Sequence, residues 1–241
     1  MVVWCRAIGV KTKKTSPALN KTTLNVAFYL IASVCVAALL FPGGSVVAQR
    51  TANASGVTEP LLVDMKGNGC ALTSAAAGVR FNLSGDRTEQ QVAWTERGSD
   101  DAFLAVDVNN NGIIDSGLEL VGGMSPGPNG FATLLWYDGV TNLDSTSAGR
   151  RPADGMLDAA DAFFAKLILW TDANHNGRSE EDELESAAHA GIVGFATGYV
   201  GTREPDAFGN VFTFKGYGRF RTTRDVVVLR DIRAVRLTTT P

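Results

Sequence analysis

Apolar positions along this chain follow two different rhythms. Short runs rich in β-branched and aromatic residues, Leu61 to Asp64, Gly78 to Leu83, Gln91 to Trp94 and Ala102 to Val106, are separated by Gly, Asn, Ser and Asp clusters, which predicts strands and hairpins in residues 59–125. Strand-like runs return in residues 191–238, at Ile192 to Val200, Val211 to Phe220 and Asp225 to Leu237, with turns at Asp206 to Asn210 and Thr222 to Arg224. Between them, in residues 126–190, Phe163, Phe164, Leu167 and Leu169 follow Asp158 and Asp161, a spacing that predicts one apolar helix face from about Asp158 to Leu169. A second short helix is predicted over Glu181 to His189; acids at the start of each suit the positive end of a helix dipole. The expected fold class is therefore α+β, with β-hairpins at both ends of a single domain, 59–238, around a central loop-helix segment.

The N-terminus obeys a third rule. A basic stretch ending at Lys21 precedes an apolar run from Leu24 to Phe41, then Pro42-Gly43-Gly44 and the small-residue site Val46-Val47-Ala48. That order predicts a signal peptide over 1–48, cleaved after Ala48, although the run is also long enough to serve as an uncleaved anchor. Both outcomes place residues 49–241 on the far side of the membrane, secreted or at the cell surface, because the lysines stay with the cytoplasm. Membrane contact is expected only through this segment if it is uncleaved. Polar, small residues in "QRTANASG" open a linker over 49–58. Only Cys70 remains beyond the signal segment, so no disulfide within the mature chain is expected.

Charge sharpens this picture. The chain is −3 overall, but setting aside the five basic residues before Ala48 leaves 17 basic against 25 acidic side chains. From Asp100 to Glu185 there are 16 acids against only Arg150, Arg151, Lys166 and Arg178. Such a field disfavours nucleic acid as a partner and favours something cationic.

The segment from Asp172 to Glu183 supplies the chemistry for a cation. It sets oxygen side chains at loop positions 1, 3, 5, 9 and 12 (Asp172, Asn174, Asn176, Glu180, Glu183), has Gly177 at position 6, and offers the carbonyl of Arg178 at position 7. Those are the positions of an EF-hand Ca²⁺ loop, in which alternate residues point inward, glycine lets the chain wrap the ion and the last carboxylate supplies two oxygens. A second loop repeats the grammar with Asp107, Asn109, Asn111, the carbonyl of Ile113, and Asp115. Its closing carboxylate, Glu119, arrives at position 13, and Gly117 is expected to allow the bulge that still delivers it. Three further segments, Asp64 to Gly69, Asn82 to Arg87 and Asp154 to Asp161, read as structural turns of worn design. In the last, positions 1 and 3 fall on Arg150 and Pro152, and Asp144 is a substitute first ligand if the chain bulges.

The runs "LLVDMKGNGCALTSAAAGVRFNL", "DDAFLAVDVNNNGIIDSGLELVG" and "DGMLDAADAFFAKLILWTDANHNGRSEEDEL", in that order, resemble a family of exported bacterial EF-hand-containing calcium-binding proteins, with related segments in RTX-type surface proteins. The resemblance covers roughly Pro60 to Phe220 and implies a secreted calcium-binding module. Departures at Lys66, Asn82, Ser84 and Arg150 to Pro152 imply fewer ions here, and the glycine-rich RTX nonapeptide is absent. The 22 residues from Arg150 to Asp172 fit one connecting helix, similar to the loop-helix repeats of dockerins.

Enzymatic signatures are thin: there is no nucleophile elbow, P-loop or dinucleotide fingerprint, and His175 and His189 read as surface residues. The expected function is calcium binding by an ion-stabilised module without catalysis. The alternatives are a calcium-dependent adhesion module for an anionic glycan or surface protein, to which the C-terminal arginines bear on one side, and, third, a calcium-dependent hydrolase.

Overall fold

Leu61–Asp64 (β1) and Asp101–Ala105 (β4) are buried along their whole length, which is why they read as unbroken apolar runs rather than alternating ones. Leu61, Val63, Ala102 and Leu104 point into one core, while Leu62, Phe103 and Ala105 point into another on the opposite face. The structure, a computed structural model, describes residues 58–124, 127–143 and 149–240; the predicted signal segment, nearly all of the linker, and Asp144 lie outside them.

Around these two strands a curled, wholly antiparallel sheet is built. Its other strands are Met156–Asp158 (β5), Ile168–Trp170 (β6), Leu184–Ser186 (β7), Ile192–Ala196 (β8), Val200–Pro205 (β9), Val211–Arg221 (β10) and Val227–Arg236 (β11). They run in the order β5-β8-β10-β11-β1-β4-β6-β7, with β9 also on β10. Val79–Phe81 (β2) and Gln90–Val92 (β3) form a separate hairpin. The long β10–β11 hairpin turns at Thr222–Val226, where the Thr222 amide donates to the Val226 carbonyl at 2.9 Å. Among the described residues no helix is long and apolar enough to cross a membrane.

The expected α+β class is corrected here: the fold is mostly β, and its one α-helix among the described residues is Gly130–Tyr137 (α1). That helix is capped by Asn129, whose side chain accepts from the Ala132 amide at 2.9 Å. The two predicted helices are absent. Asp158 to Leu169 is the end of β5, a 3₁₀ turn at Phe164–Lys166 and the start of β6; Glu181 to His189 is a 3₁₀ turn at Glu181–Glu183 followed by β7. The dockerin-like connecting helix falls with them, and of the expected helical character of 126–190 the described residues keep α1 and two 3₁₀ turns. Phe163, Phe164, Leu167 and Leu169 are nevertheless all buried in the first core. Four side chains at i, i+1, i+4 and i+6 satisfy a helix face, but equally a tight turn running into a strand that must reach the same core.

Candidate metal centre

β6 and β7 are the two arms of a hairpin whose loop is Asp172 to Glu183, and pairing of Trp170 with Leu184 closes its base. Strands thus replace the helices that the loop grammar led one to expect. Asp172, 2% exposed, turns both carboxylate oxygens inward, accepting from the amides of Asn176 at 3.0 Å and Gly177 at 2.8 Å. His175 and Gly177 take φ of 60° and 71°, the left-handed pair that lets the chain curl back on itself. Asn176 Oδ1 accepts from the Arg178 amide at 2.7 Å, and the Asn176 and Asn174 amides donate to Glu180 at 2.7 and 3.3 Å. Glu183 reaches back across the mouth: Oε1 accepts from the Ala173 amide at 2.9 Å, and Oε2 faces the Trp170 indole N–H at 3.4 Å.

The Asp107 loop repeats its main contacts, those of the first aspartate, the fifth-position Asn and the closing glutamate. Asp107 accepts from Asn111 at 3.1 Å and Gly112 at 2.8 Å, and Asn111 Oδ1 accepts from the Ile113 amide at 3.0 Å, while Asn109 Oδ1 caps the Asn111 amide at 2.9 Å. Asn110 and Gly112 repeat the positive φ pair at 57° and 84°. Glu119 is carried into place by the 3₁₀ turn Gly117–Glu119, and accepts from Val108 at 3.3 Å and Asp115 at 3.0 Å. Those are loop positions 2 and 9, as Ala173 and Glu180 are for Glu183. Pairing of Ala105 with Leu120 closes the base. The loops meet directly: the Ser179 hydroxyl accepts from the Ile114 amide at 2.7 Å and donates to its carbonyl at 3.2 Å, joining position 8 of each.

Electrostatically the two closing carboxylates are uncomfortable. Burial first, then the proximity of Glu180 and Asp172, holds the Glu183 carboxyl above its usual range; burial and neighbouring Asp115 do the same to Glu119. Hydrogen bonds from Asn176 hold Glu180 below its range. Among the described residues no Lys or Arg pairs with any carboxylate of either loop. The donor set of each loop is carboxylate, amide and carbonyl oxygen without nitrogen or sulfur, which fits a hard divalent ion such as Ca²⁺ and not zinc.

His175 is better placed than a surface residue. Its Nδ1 lies 2.8 Å from the Thr95 carbonyl and Nε2 2.9 Å from that of Ala77, tying the loop to the neighbouring hairpin. His189 is exposed beside Glu185 at 3.0 Å. The turn at Asp64 keeps the same backbone, with Gly67 and Gly69 at φ 78° and 93°. It lies against Asp100 and Asp101, and oxygens of the three acids fall within 4.8 Å of one another, close enough to hold an ion. The Lys66 ammonium, 3.8 Å from Asp100, partly offsets that charge. At Asn82 to Arg87, Arg87 itself takes φ 71° where the other turns have glycine.

Asp101 carries a testable consequence. Burial pushes its carboxyl up to about 6 from 3.8. A raised carboxyl means that the folded state holds the proton more tightly than the unfolded one, so this contribution is complete below about pH 4 and is lost as pH rises through 6. Metal-free protein should therefore lose roughly 1–3 kcal/mol between pH 4 and 7 from this group. Asp101→Asn should raise the metal-free Tm at pH 7 and flatten that slope, as read by thermal melts across the range.

A family profile described as the SPM domain matches residues 61–227. The protein named "Iron-regulated protein FrpA" from Neisseria meningitidis serogroup C is 31% identical over 162 residues, 66% of this chain. That stretch is 14% of the relative, so the chain spans about one-seventh of that protein's length.

Proposed function

The chain belongs to the SPM domain family, and we propose that it is an exported, non-catalytic calcium-binding module in which two ions, held at Asp172–Glu183 and Asp107–Glu119, stiffen a β fold. The observation that carries this reading is the repeated closure: in each loop one buried glutamate caps the amides of positions 2 and 9 across from the first aspartate, although one glutamate is a residue further along the chain. Two different spacings thus reach the same closure. The resemblance to exported EF-hand-containing calcium-binding proteins supports the same reading, and the basic-then-apolar segment before Ala48 supports export.

In each cage the first aspartate and the closing glutamate supply most of the charge, the Asn side chains and one carbonyl complete the shell, and the ion neutralises carboxylates that burial otherwise opposes. Extracellular calcium near millimolar would fill sites with Kd of ~10⁻⁴–10⁻³ M. Chelation is expected to lower the Tm; identical melting curves with calcium and with chelator would contradict the reading.

Gly117 offers a local test of the second site. Its amide donates to the Asn82 carbonyl at 2.9 Å, and a Cβ added there would lie 1.8 Å from the Leu83 carbonyl oxygen, so no side chain fits without moving backbone. Gly117→Ala should cost about 1–3 kcal/mol and remove one ion from the calorimetric count, leaving the Asp172 site filled.

One feature favours an adhesion role as the second reading. A cleft of about 790 Å³ runs between the two loops and β2, lined by Arg80, Glu89, Asp115, Asn176 and Arg178. Calcium-dependent retention on an anionic glycan that Arg178→Ala abolishes would support it. The C-terminal arginines argue less for it, because Arg221, Arg233 and Arg236 pair with Asp225, Glu204 and Glu59.

A further inference from the structure

A third cage of the same design lies outside both proposed sites. Asp138, 1% exposed, accepts from the amides of Asp154 at 3.2 Å and Gly155 at 2.8 Å, as Asp172 accepts from Asn176 and Gly177. Asp161, 2% exposed, accepts from Gly139 at 2.7 Å and Asp158 at 3.0 Å, as Glu183 accepts from Ala173 and Glu180. Asp154 Oδ1 accepts from the Met156 amide at 3.1 Å, the contact that Asn176 makes to Arg178. Gly155 has φ 88°. Asp138 and Gly139 are therefore positions 1 and 2, Asp154 and Gly155 are 5 and 6, Asp158 is 9 and Asp161 closes the loop, with a long insertion between positions 2 and 5.

What distinguishes this cage is its content. Arg151, carried in by the insertion and fixed by its amide on the Gly139 carbonyl at 2.8 Å, spreads its guanidinium across the cage. Nη1 donates to Asp154 at 2.8 Å and Nη2 to Asp161 at 3.1 Å, bridging the fifth position and the closing carboxylate as an ion would. The Asp161 side chain has no solvent exposure, so a partner charge is needed. Hydrogen bonding to Asp154 in turn holds the Arg151 guanidinium above its ordinary pKa.

We propose that Arg151 is a tethered cation filling a third loop of the calcium-site design, so that this loop folds without metal and accepts a divalent ion of the calcium class once the guanidinium is removed. The inference extends the two-site reading without depending on its outcome. A bidentate, always-charged guanidinium satisfies two carboxylates at once. The remaining acids of the cage, Asp138 and Asp158, rest on backbone amides at Gly155 and Ala160.

The test is calorimetric titration of metal-free wild type, Arg151→Ser and Arg151→Lys with calcium up to several millimolar. Arg151→Ser should bind one ion more than wild type, whatever the wild-type count, and Arg151→Lys should match wild type. Equal counts for Arg151→Ser and wild type overturn the inference, as does an Arg151→Ser protein that stays unfolded at every calcium concentration, since the ion must be able to replace the guanidinium. Two ions in both proteins would leave the two-site reading intact and sink this one; none in wild type and one in Arg151→Ser would do the reverse. Hydrogen exchange on wild type gives a check without mutation: after chelation the amides of Gly139 and Gly155 should keep their protection while those of Gly112 and Gly177 lose it. Parallel loss at all four would overturn the inference.

Discussion

Truncating Trp170 to Ala is expected to destabilise the protein by about 3–5 kcal/mol, a loss read most simply as a Tm drop of roughly 10 °C. The side chain is fully buried where the second core meets the Asp172 loop, packed against Phe81, Trp94 and Phe103 at ring-centroid separations of 5.6, 5.4 and 6.0 Å. Its indole N–H also faces Glu183 Oε2 at 3.4 Å, so one residue joins hydrophobic packing to the closing carboxylate. Trp170→Phe separates the two roles. It should restore much of the stability in chelator but leave calcium affinity reduced, because Glu183 loses a donor that fixes its orientation. Equal recovery of both would assign Trp170 to packing alone.

Glu183→Gln should remove most of the calcium-dependent stabilisation of its own loop. An ion at a hundredfold excess over Kd adds about 2.7 kcal/mol to the folded state, or roughly 5–10 °C in a domain of this size. Glutamine preserves the shape and can still accept from the Ala173 amide, but cannot offer two anionic oxygens. In chelator the same change should be neutral or mildly stabilising, since burial already holds this carboxyl above its usual range. That reversal of sign between calcium and chelator is the distinguishing result; destabilisation of equal size in both would make Glu183 a structural residue only.

The sequence made the loops and most strands readable because both depend on local rules. Asp-x-Asn-x-Asn-Gly fixes a left-handed pair at positions 4 and 6 wherever it occurs, and continuous apolar runs such as Leu61–Val63 fit a strand between two cores. Helix signals failed for the converse reason. Acids at Glu180 to Glu183 resemble a helix start, but here Glu180 and Glu183 are committed to loop contacts, and the chain makes only one 3₁₀ turn before β7. α1 was legible in principle from Asn129, an N-cap residue preceding an apolar run, yet Gly130 as its first residue argues against a helix.

The third cage shows where one-dimensional reading stops. Counting back from Gly155 places position 1 on Arg150, whereas the first ligand position is held by Asp138, twelve residues earlier. Asp144, the substitute suggested by spacing, is outside the described residues. No fixed-period template spans such a gap; only the contacts of Asp138 with Asp154 and Gly155 reveal it. His175 was missed similarly, because its partners Thr95 and Ala77 are far away in sequence.

Isothermal titration of metal-free protein with calcium, paired with magnesium as a control, addresses the central claim most directly. The account predicts two calcium ions with Kd of ~10⁻⁴–10⁻³ M and much weaker uptake of magnesium, whose demand for octahedral geometry suits an oxygen-rich loop poorly. Absence of any calcium binding at millimolar concentration would contradict it.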